Sequence, residues 1–206
     1  MDLTLRSSDI KRVFAVKASL ACSGGKINAK ALASHGRLDV VARAILAALS
    51  LRAGTRLDTV FYATLEGLPH PPITIEVRGW ELKHPIGSEE DIGNLLSRLF
   101  LGHHIEGVDA WEMSFKELVS ELVNSFGSKQ VIYLHEAGED ISNLSLEGKI
   151  AVLLGDHKGI DRKTETWIKF LGIRWFSLSP QPYFTEHCIS FINYLLDEGI
   201  RLLKRF

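Results

Sequence analysis

Apolar positions along the chain change period several times, and each change marks an element. Val13–Val16 is an unbroken apolar run, which predicts a short buried strand. Leu20 to Gly36 has no clear period and carries Ser23, Gly24 and Gly25, which predicts a loop. Leu38, Val41, Ala42, Ile45 and Leu49 fall at helical spacing, with Gly54 as a stop. β-Branched content and alternation predict strands at Asp58–Leu65 and Ile73–Val77. Between them, Gly67-Leu68-Pro69-His70-Pro71-Pro72 must be a loop, because proline has no N–H to give a ladder. Ser88 with Asp91 opens a helix whose Ile92, Leu95, Leu96, Leu99 and Phe100 share a face before Gly102. Ser114 with Glu117 repeats the device for a helix ending at Gly127.

The second half has a simpler rhythm. Val131–His135, Ile150–Leu154 and Ile173–Leu178 are short apolar runs, suited to parallel strands buried on both faces. A short helix, Asp161–Leu171, separates the last two and ends at Gly172. A closing helix runs from Tyr183 to about Lys204. Its Phe184, Ile189, Phe191, Ile192, Tyr194, Leu195 and Leu196 cover more than the ~100° stripe of a one-sided helix. Either it is wedged deep in a monomer, or a partner subunit covers its second face. Short elements with short connections predict a single α/β domain over residues 1–206.

Composition narrows the class. With 206 residues, 46% hydrophobic and 24% charged, the chain is neither disordered nor collagen-like. No apolar run approaches the roughly 18 residues a membrane span needs. The first residues, MDLTLRSSDIKRV, lack an apolar signal core, and two cysteines make no disulfide framework. A cytoplasmic protein is expected. The net charge of -1 hides an asymmetry. Residues 1–56 hold ten Lys/Arg and three Asp/Glu, residues 57–150 six and sixteen, residues 151–206 eight and six. The basic first quarter, with Lys11, Arg12, Lys17, Lys26, Lys30, Arg37, Arg43, Arg52 and Arg56, is a candidate phosphate-binding surface.

Several motifs fail. Ser23-Gly24-Gly25-Lys26 lacks the first glycine and the Ser/Thr of a phosphate loop. No G-x-G-x-x-G follows a strand, and there is no G-x-S-x-G. His103-His104 are adjacent and so point to different sides of a helix; no metal site is expected. Three polar strand ends remain: Leu134 to Asp140, Leu153 to Gly159, and Ser177 to Tyr183. Ligands of open α/β sheets sit outside the carboxyl ends of the strands, and glycine there lets backbone approach a ligand. Asp156-His157 either orders such a pocket or forms a plain turn.

Gly36-Arg37-Leu38-Asp39-Val40, the Leu68–Pro72 turn with Ile73-Thr74-Ile75, Leu154-Gly155-Asp156-His157-x-Gly159, and Ser177-Leu178-x-Pro180 with His187-Cys188-Ile189 occur in that order. As a set they resemble the archaeal TrmY family, the tRNA (pseudouridine(54)-N1)-methyltransferases of the SPOUT class. The likeness runs from about Arg12 to Asp197. It implies an α/β SPOUT-type fold, with a mainly parallel sheet flanked by helices and a C-terminal trefoil knot. Knot and cofactor site fall in about residues 130–206. It also implies a homodimer with the knots at the interface and S-adenosylmethionine held mainly by backbone. By position, the cofactor walls are Leu134, Gly155, the loop Leu178, Ser179, Pro180, Gln181, Pro182 and Tyr183, and Cys188. Ser179 stands where the family's loop usually has glycine, and Gln181-Pro182-Tyr183-Phe184 is bulkier than expected.

The implied reaction moves a methyl group to N1 of a pseudouridine in tRNA. It needs alignment of two atoms and help in removing the N1 proton. Asp39 is the candidate base, or else a carboxylate paired with Arg37 or Arg43. Arg37, Lys26 and Lys30 are the candidate RNA contacts. Cys188 is expected as a pocket wall, since methyl transfer to nitrogen needs no covalent link to the enzyme. The alternatives are an rRNA pseudouridine N1-methyltransferase of the same superfamily, or a non-catalytic RNA-binding protein on the same fold.

Overall fold

Five parallel strands form the centre of the molecule. The computed structural model describes residues 10–145 and 148–198. β1 (Arg12–Cys22) is central in the sheet and is followed by α1 (Leu38–Leu49). The two-residue strands β2 (Ser50–Leu51) and β3 (Gly54–Thr55) make a small hairpin. β4 (Thr59–Gly67), β5 (Ile73–Arg78), α2 (Glu89–Phe100), β6 (Val108–Glu112) and α3 (Phe115–Phe126) follow. The second half runs β7 (Val131–Asp140), β8 (Ile150–Gly155), α4 (Arg162–Phe170), β9 (Arg174–Ser177) and α5 (Thr185–Asp197). The seven-stranded sheet has the order β6-β5-β4-β1-β8-β7-β9. β4, β1, β8, β7 and β9 are parallel; β5 is antiparallel to both its neighbours.

Alternation along β1 builds two cores. Phe14, Val16 and Ala18 face α1, α2 and α5, where Ile45, Ile92 and Ile189 are buried. Val13 and Ala15 face the other way, toward Leu118 of α3 and Ile168 of α4. Helices therefore cover both faces of the sheet, which is why its parallel strands carry apolar residues on both sides.

The elements differ from the sequence reading at informative points. β1 extends from the expected Val13–Val16 to Cys22, taking in part of the expected loop. It runs through a charge, because buried Lys17 is neutralised by Glu66 and Asp161. α1 stops at Leu49 rather than near Gly54, and the Arg56 N–H returns to the Leu49 carbonyl across the β2–β3 hairpin. β6 is an added strand with only one fully apolar-buried position, Val108, so its pattern is weak in the sequence. A short 3-10 turn, Leu32–Ser34, lies in the expected loop. α5 starts at Thr185, after Tyr183 and Phe184, and the expected stretch toward Lys204 lies outside the described residues.

The helix starts follow the predicted signals. Ser114 and Glu117 form a reciprocal capping box on α3. The Ser88 side chain accepts the Asp91 N–H at 3.1 Å on α2. α5 is tied to the base of the sheet by Arg12, which donates to Asn193 at 2.9 Å, Asp197 at 3.0 Å and Asp58 at 3.1 Å.

Candidate active site

A cavity of about 660 Å³ opens beyond the carboxyl ends of β7 and β8. Its walls are the end of β7 at Tyr133–Glu136, the β8 end and following turn at Leu154–Ile160, and the entry to α5 at Pro182–Cys188. Arg37, Val40 and Arg43 of the α1 region close one side, and Glu165 of α4 closes another.

The floor is held by hydrogen bonds. The buried Asp156 carboxylate accepts the Ser19 N–H at 2.7 Å and the Lys158 N–H at 2.8 Å. It thus orders the turn and fastens it to β1, so both readings of Asp156 apply. Gly155 packs so closely that a Cβ there would lie 2.4 Å from the Gly159 carbonyl carbon. The Thr185 hydroxyl donates to the Gly155 carbonyl at 2.8 Å, which seats the first turn of α5 beside β8.

One end of the cavity is aromatic and acidic. The Tyr133 hydroxyl donates to Glu165 at 3.0 Å, and Nε2 of His135 lies 3.4 Å from the same carboxylate. Nδ1 of His135 accepts the Ala137 N–H at 3.0 Å, which leaves the proton of the neutral ring on Nε2. Trp175 meets Tyr133 edge-on at 4.9 Å. Burial, reinforced by the Glu165 charge, pushes the Tyr133 hydroxyl far above its ordinary value, so it stays protonated.

The other end is basic. Arg37 sits in the left-handed region at φ 65° and donates to Asp39 through Nε at 3.0 Å and Nη2 at 3.1 Å. Arg43 donates to Asp39 at 2.9 Å and to Glu186 at 2.8 Å. Burial works to raise the Asp39 carboxyl, but the two guanidiniums outweigh it and hold it below the usual carboxylate range. Asp39 does not line the main cavity. It faces an adjoining cleft of about 420 Å³ that shares Arg43 and includes Lys30 and Glu89.

Of the residues expected at the cofactor, Leu134, Gly155, Pro182, Tyr183 and Cys188 line the cavity, whereas Leu178, Ser179, Pro180 and Gln181 do not. The loop folds on itself instead. The Ser177 hydroxyl donates to the Ser179 carbonyl at 2.7 Å, and the Gln181 N–H donates to the Ser179 hydroxyl at 3.0 Å. Ser179, the departure from glycine, is therefore a bonding element of that turn. Burial, helped by the Glu186 charge, pushes the Cys188 thiol up to about 11, so it is no thiolate at neutral pH. Arg37 reaches the cavity, and Lys26 and Lys30 are exposed, Lys30 lying 3.8 Å from Glu90.

The basic first quarter is largely neutralised: Arg12, Lys17, Arg43 and Arg56 all sit on carboxylates. Charge counts along the sequence do not show such pairing. Sequence reasoning also missed Tyr133, Glu165 and Glu186 as wall residues. Tyr133 reads as core and Glu165 as the polar side of a helix, so neither had a motif. His103 and His104 are exposed beyond the end of α2, and no metal-holding cluster occurs among the described residues.

A wide cavity of mixed apolar and charged lining outside parallel strands, floored by glycine turns, marks a ligand-binding α/β fold. Residues 11–199 match the family described as "Putative SAM-dependent RNA methyltransferase". Proteins named tRNA (pseudouridine(54)-N(1))-methyltransferase are similar along nearly their whole length. The one from Methanococcus vannielii is 32% identical over 194 residues, 89% of this chain and 97% of that protein. The one from Methanocaldococcus jannaschii is 32% identical over 201 residues, 91% and 97% of the two chains. The crystal structure of Archaeoglobus fulgidus Nep1 bound to S-adenosylhomocysteine shares the fold, with TM-score 0.62 at 18% identity over 92% of this chain and 99% of that one. The chain belongs to this SAM-dependent RNA methyltransferase family.

Proposed function

We propose that this protein transfers the methyl group of S-adenosylmethionine to N1 of pseudouridine 54 in the T loop of tRNA. The observation that carries the reading is the 32% identity to enzymes of that name across about nine-tenths of the chain. The donor set fits the cofactor. Backbone at the ends of β7 and β8 suits an adenine edge, and the cavity is within the usual ~300–1,000 Å³ of small-molecule sites.

When bound, S-adenosylmethionine supplies an electrophilic methyl on a sulfonium. The chain's own residues do the rest. Leu134, Gly155 and the Pro182–Cys188 segment would hold the cofactor and orient it. Arg37, partly exposed at the cavity wall, gives hydrogen bonds to the RNA, and the N1 proton leaves to solvent. Asp39 holds both guanidiniums in place and enters the reading as a positioning residue. A carboxylate held below its normal range is a poor proton acceptor, so the base role expected from the sequence is not the one assigned.

Three further features belong to this reading. β7 pairs Phe176 of β9 twice, through Leu134 and through Glu139, so β7 bulges between those two residues. Membership of the family supports the trefoil knot in about residues 130–206, within a single domain. The exposed Tyr183, Phe184, Phe191 and Tyr194 around α5, at 40–66% exposure, support a homodimer built on that face. A tRNA substrate supports a cytoplasmic location, and no described helix is long and apolar enough to cross a membrane.

The test is methyl transfer from labelled S-adenosylmethionine to two tRNA transcripts, with pseudouridine or uridine at position 54. Label on the pseudouridine transcript alone is expected. Label on neither, with S-adenosylhomocysteine still bound by the protein, overturns the tRNA assignment.

A further inference from the structure

We propose that α4 is an RNA-docking surface, which takes unpaired nucleotides of the substrate beside the cavity. The proposal rests on the RNA-methyltransferase reading above. Arg162, Lys163, Thr166, Lys169 and Phe170 of α4 are all exposed. Phe170 is 87% exposed, a large apolar ring left in water. Within the described residues, Arg162, Lys163 and Lys169 sit on no carboxylate. The nearby acids are engaged elsewhere, Asp161 with Lys17 and Thr164, Glu165 with Tyr133 and His135. In the first quarter Arg12, Lys17, Arg37, Arg43 and Arg56 are paired, while exposed Lys11, Lys26 and Arg52 sit on no carboxylate among the described residues.

Local stability does not account for this pattern. Arg162 and Lys163 stand in the first turn of α4, where the helix dipole disfavours cations. Only Lys169, in the last turn, is placed as the dipole prefers. Cations set against the local field, around an exposed aromatic ring, match what single-stranded nucleic acid requires. Phosphates take the cations and an unstacked base takes the ring. Lys116 of α3, 5.6 Å over the Trp167 ring, widens the basic strip.

The placement suits the reaction. The Asp156–Ile160 turn, with Lys158 in the cavity wall, runs directly into α4, whose Glu165 faces the same cavity. The helix, nine residues from Arg162 to Phe170, is about 12 Å long at ~1.5 Å per residue. An RNA loop whose target base enters the cavity therefore has its neighbouring nucleotides over α4.

The test uses the full-length protein in two forms, Phe170→Ala and the triple variant Arg162→Gln, Lys163→Gln, Lys169→Gln. Fluorescence anisotropy with a labelled tRNA transcript reads affinity across a salt series, and calorimetry with S-adenosylhomocysteine reports on the intact cavity. Arg98→Gln on α2 is the matched control for loss of an exposed cation. Phe170→Ala is expected to weaken RNA binding about tenfold, as loss of a base stack does. The triple variant is expected to weaken it at least about tenfold at low salt and to reduce the salt slope by about 2. S-Adenosylhomocysteine affinity stays within about twofold in both. Unchanged RNA affinity in both variants overturns the proposal and leaves the patch to a protein partner. Wild-type protein that binds S-adenosylhomocysteine but no RNA overturns the functional reading itself, a result separate from any effect of α4.

Discussion

Asp39 accepts three hydrogen bonds at once, two from Arg37 and one from Arg43, so two guanidiniums surround a single carboxylate. Its removal should free Arg37 and Arg43 from the cavity wall. Asp39→Asn is expected to raise the KM for tRNA roughly tenfold or more, the scale of a lost charged hydrogen bond. The acid limb of the kcat/KM profile should keep its position and S-adenosylhomocysteine should bind as before. Disappearance of that limb would show that Asp39 takes the proton. Cys188 gives a second check at this scale. In a Cys22→Ser background, alkylation by iodoacetamide should be slow at neutral pH and rise toward a midpoint near 11, because burial disfavours the thiolate. A midpoint below 8.5 would contradict the buried-thiol geometry. Neither outcome is visible in the sequence: Gly36-Arg37-Leu38-Asp39 marks the place, but only the fold shows the carboxylate beneath two guanidiniums.

Helices were more legible than strands because their ends carry local chemistry. The Ser114–Glu117 box is seen in the structure as the spacing implies, with the Ser114 hydroxyl accepting the Glu117 N–H at 3.3 Å. Ser114→Ala should cost about 1 kcal/mol in chemical denaturation, with an unchanged m-value. No loss would show that α3 is held by Leu118 and Leu122 alone. Strands lost their outlines where a polar residue is neutralised by distant partners. Lys17 in β1 is the plainest case, since Glu66 and Asp161 are far along the chain. The end of β7 is another: the strand is expected to stop at His135, yet Glu139 and Asp140 pair with Phe176 and Ser177. The Leu178–Gln181 segment is a third case, folded on itself beside the cavity. The Ser177 and Ser179 hydroxyls bond across its own turn, and composition gives no sign of it.

At the scale of the whole molecule, charge is redistributed by folding. The sequence places its positive excess in the first 56 residues, but ion pairs absorb most of it. The free cations of α4 emerge where the local composition is nearly balanced. The α/β class and the parallel second half were legible, because buried apolar runs and glycine stops need no distant information. The assembly of Tyr133, Glu165, Arg43 and Glu186 around one cavity was not, because it joins β7, α4, α1 and α5. The central claim is the atom methylated, and nucleoside analysis of treated tRNA tests it most directly. A pseudouridine-54 transcript is incubated with S-adenosylmethionine and the protein, digested to nucleosides and examined by mass spectrometry against standards. N1-methylpseudouridine as the sole new nucleoside is the predicted result; a methyl on ribose, on another ring atom or on uridine would contradict the account.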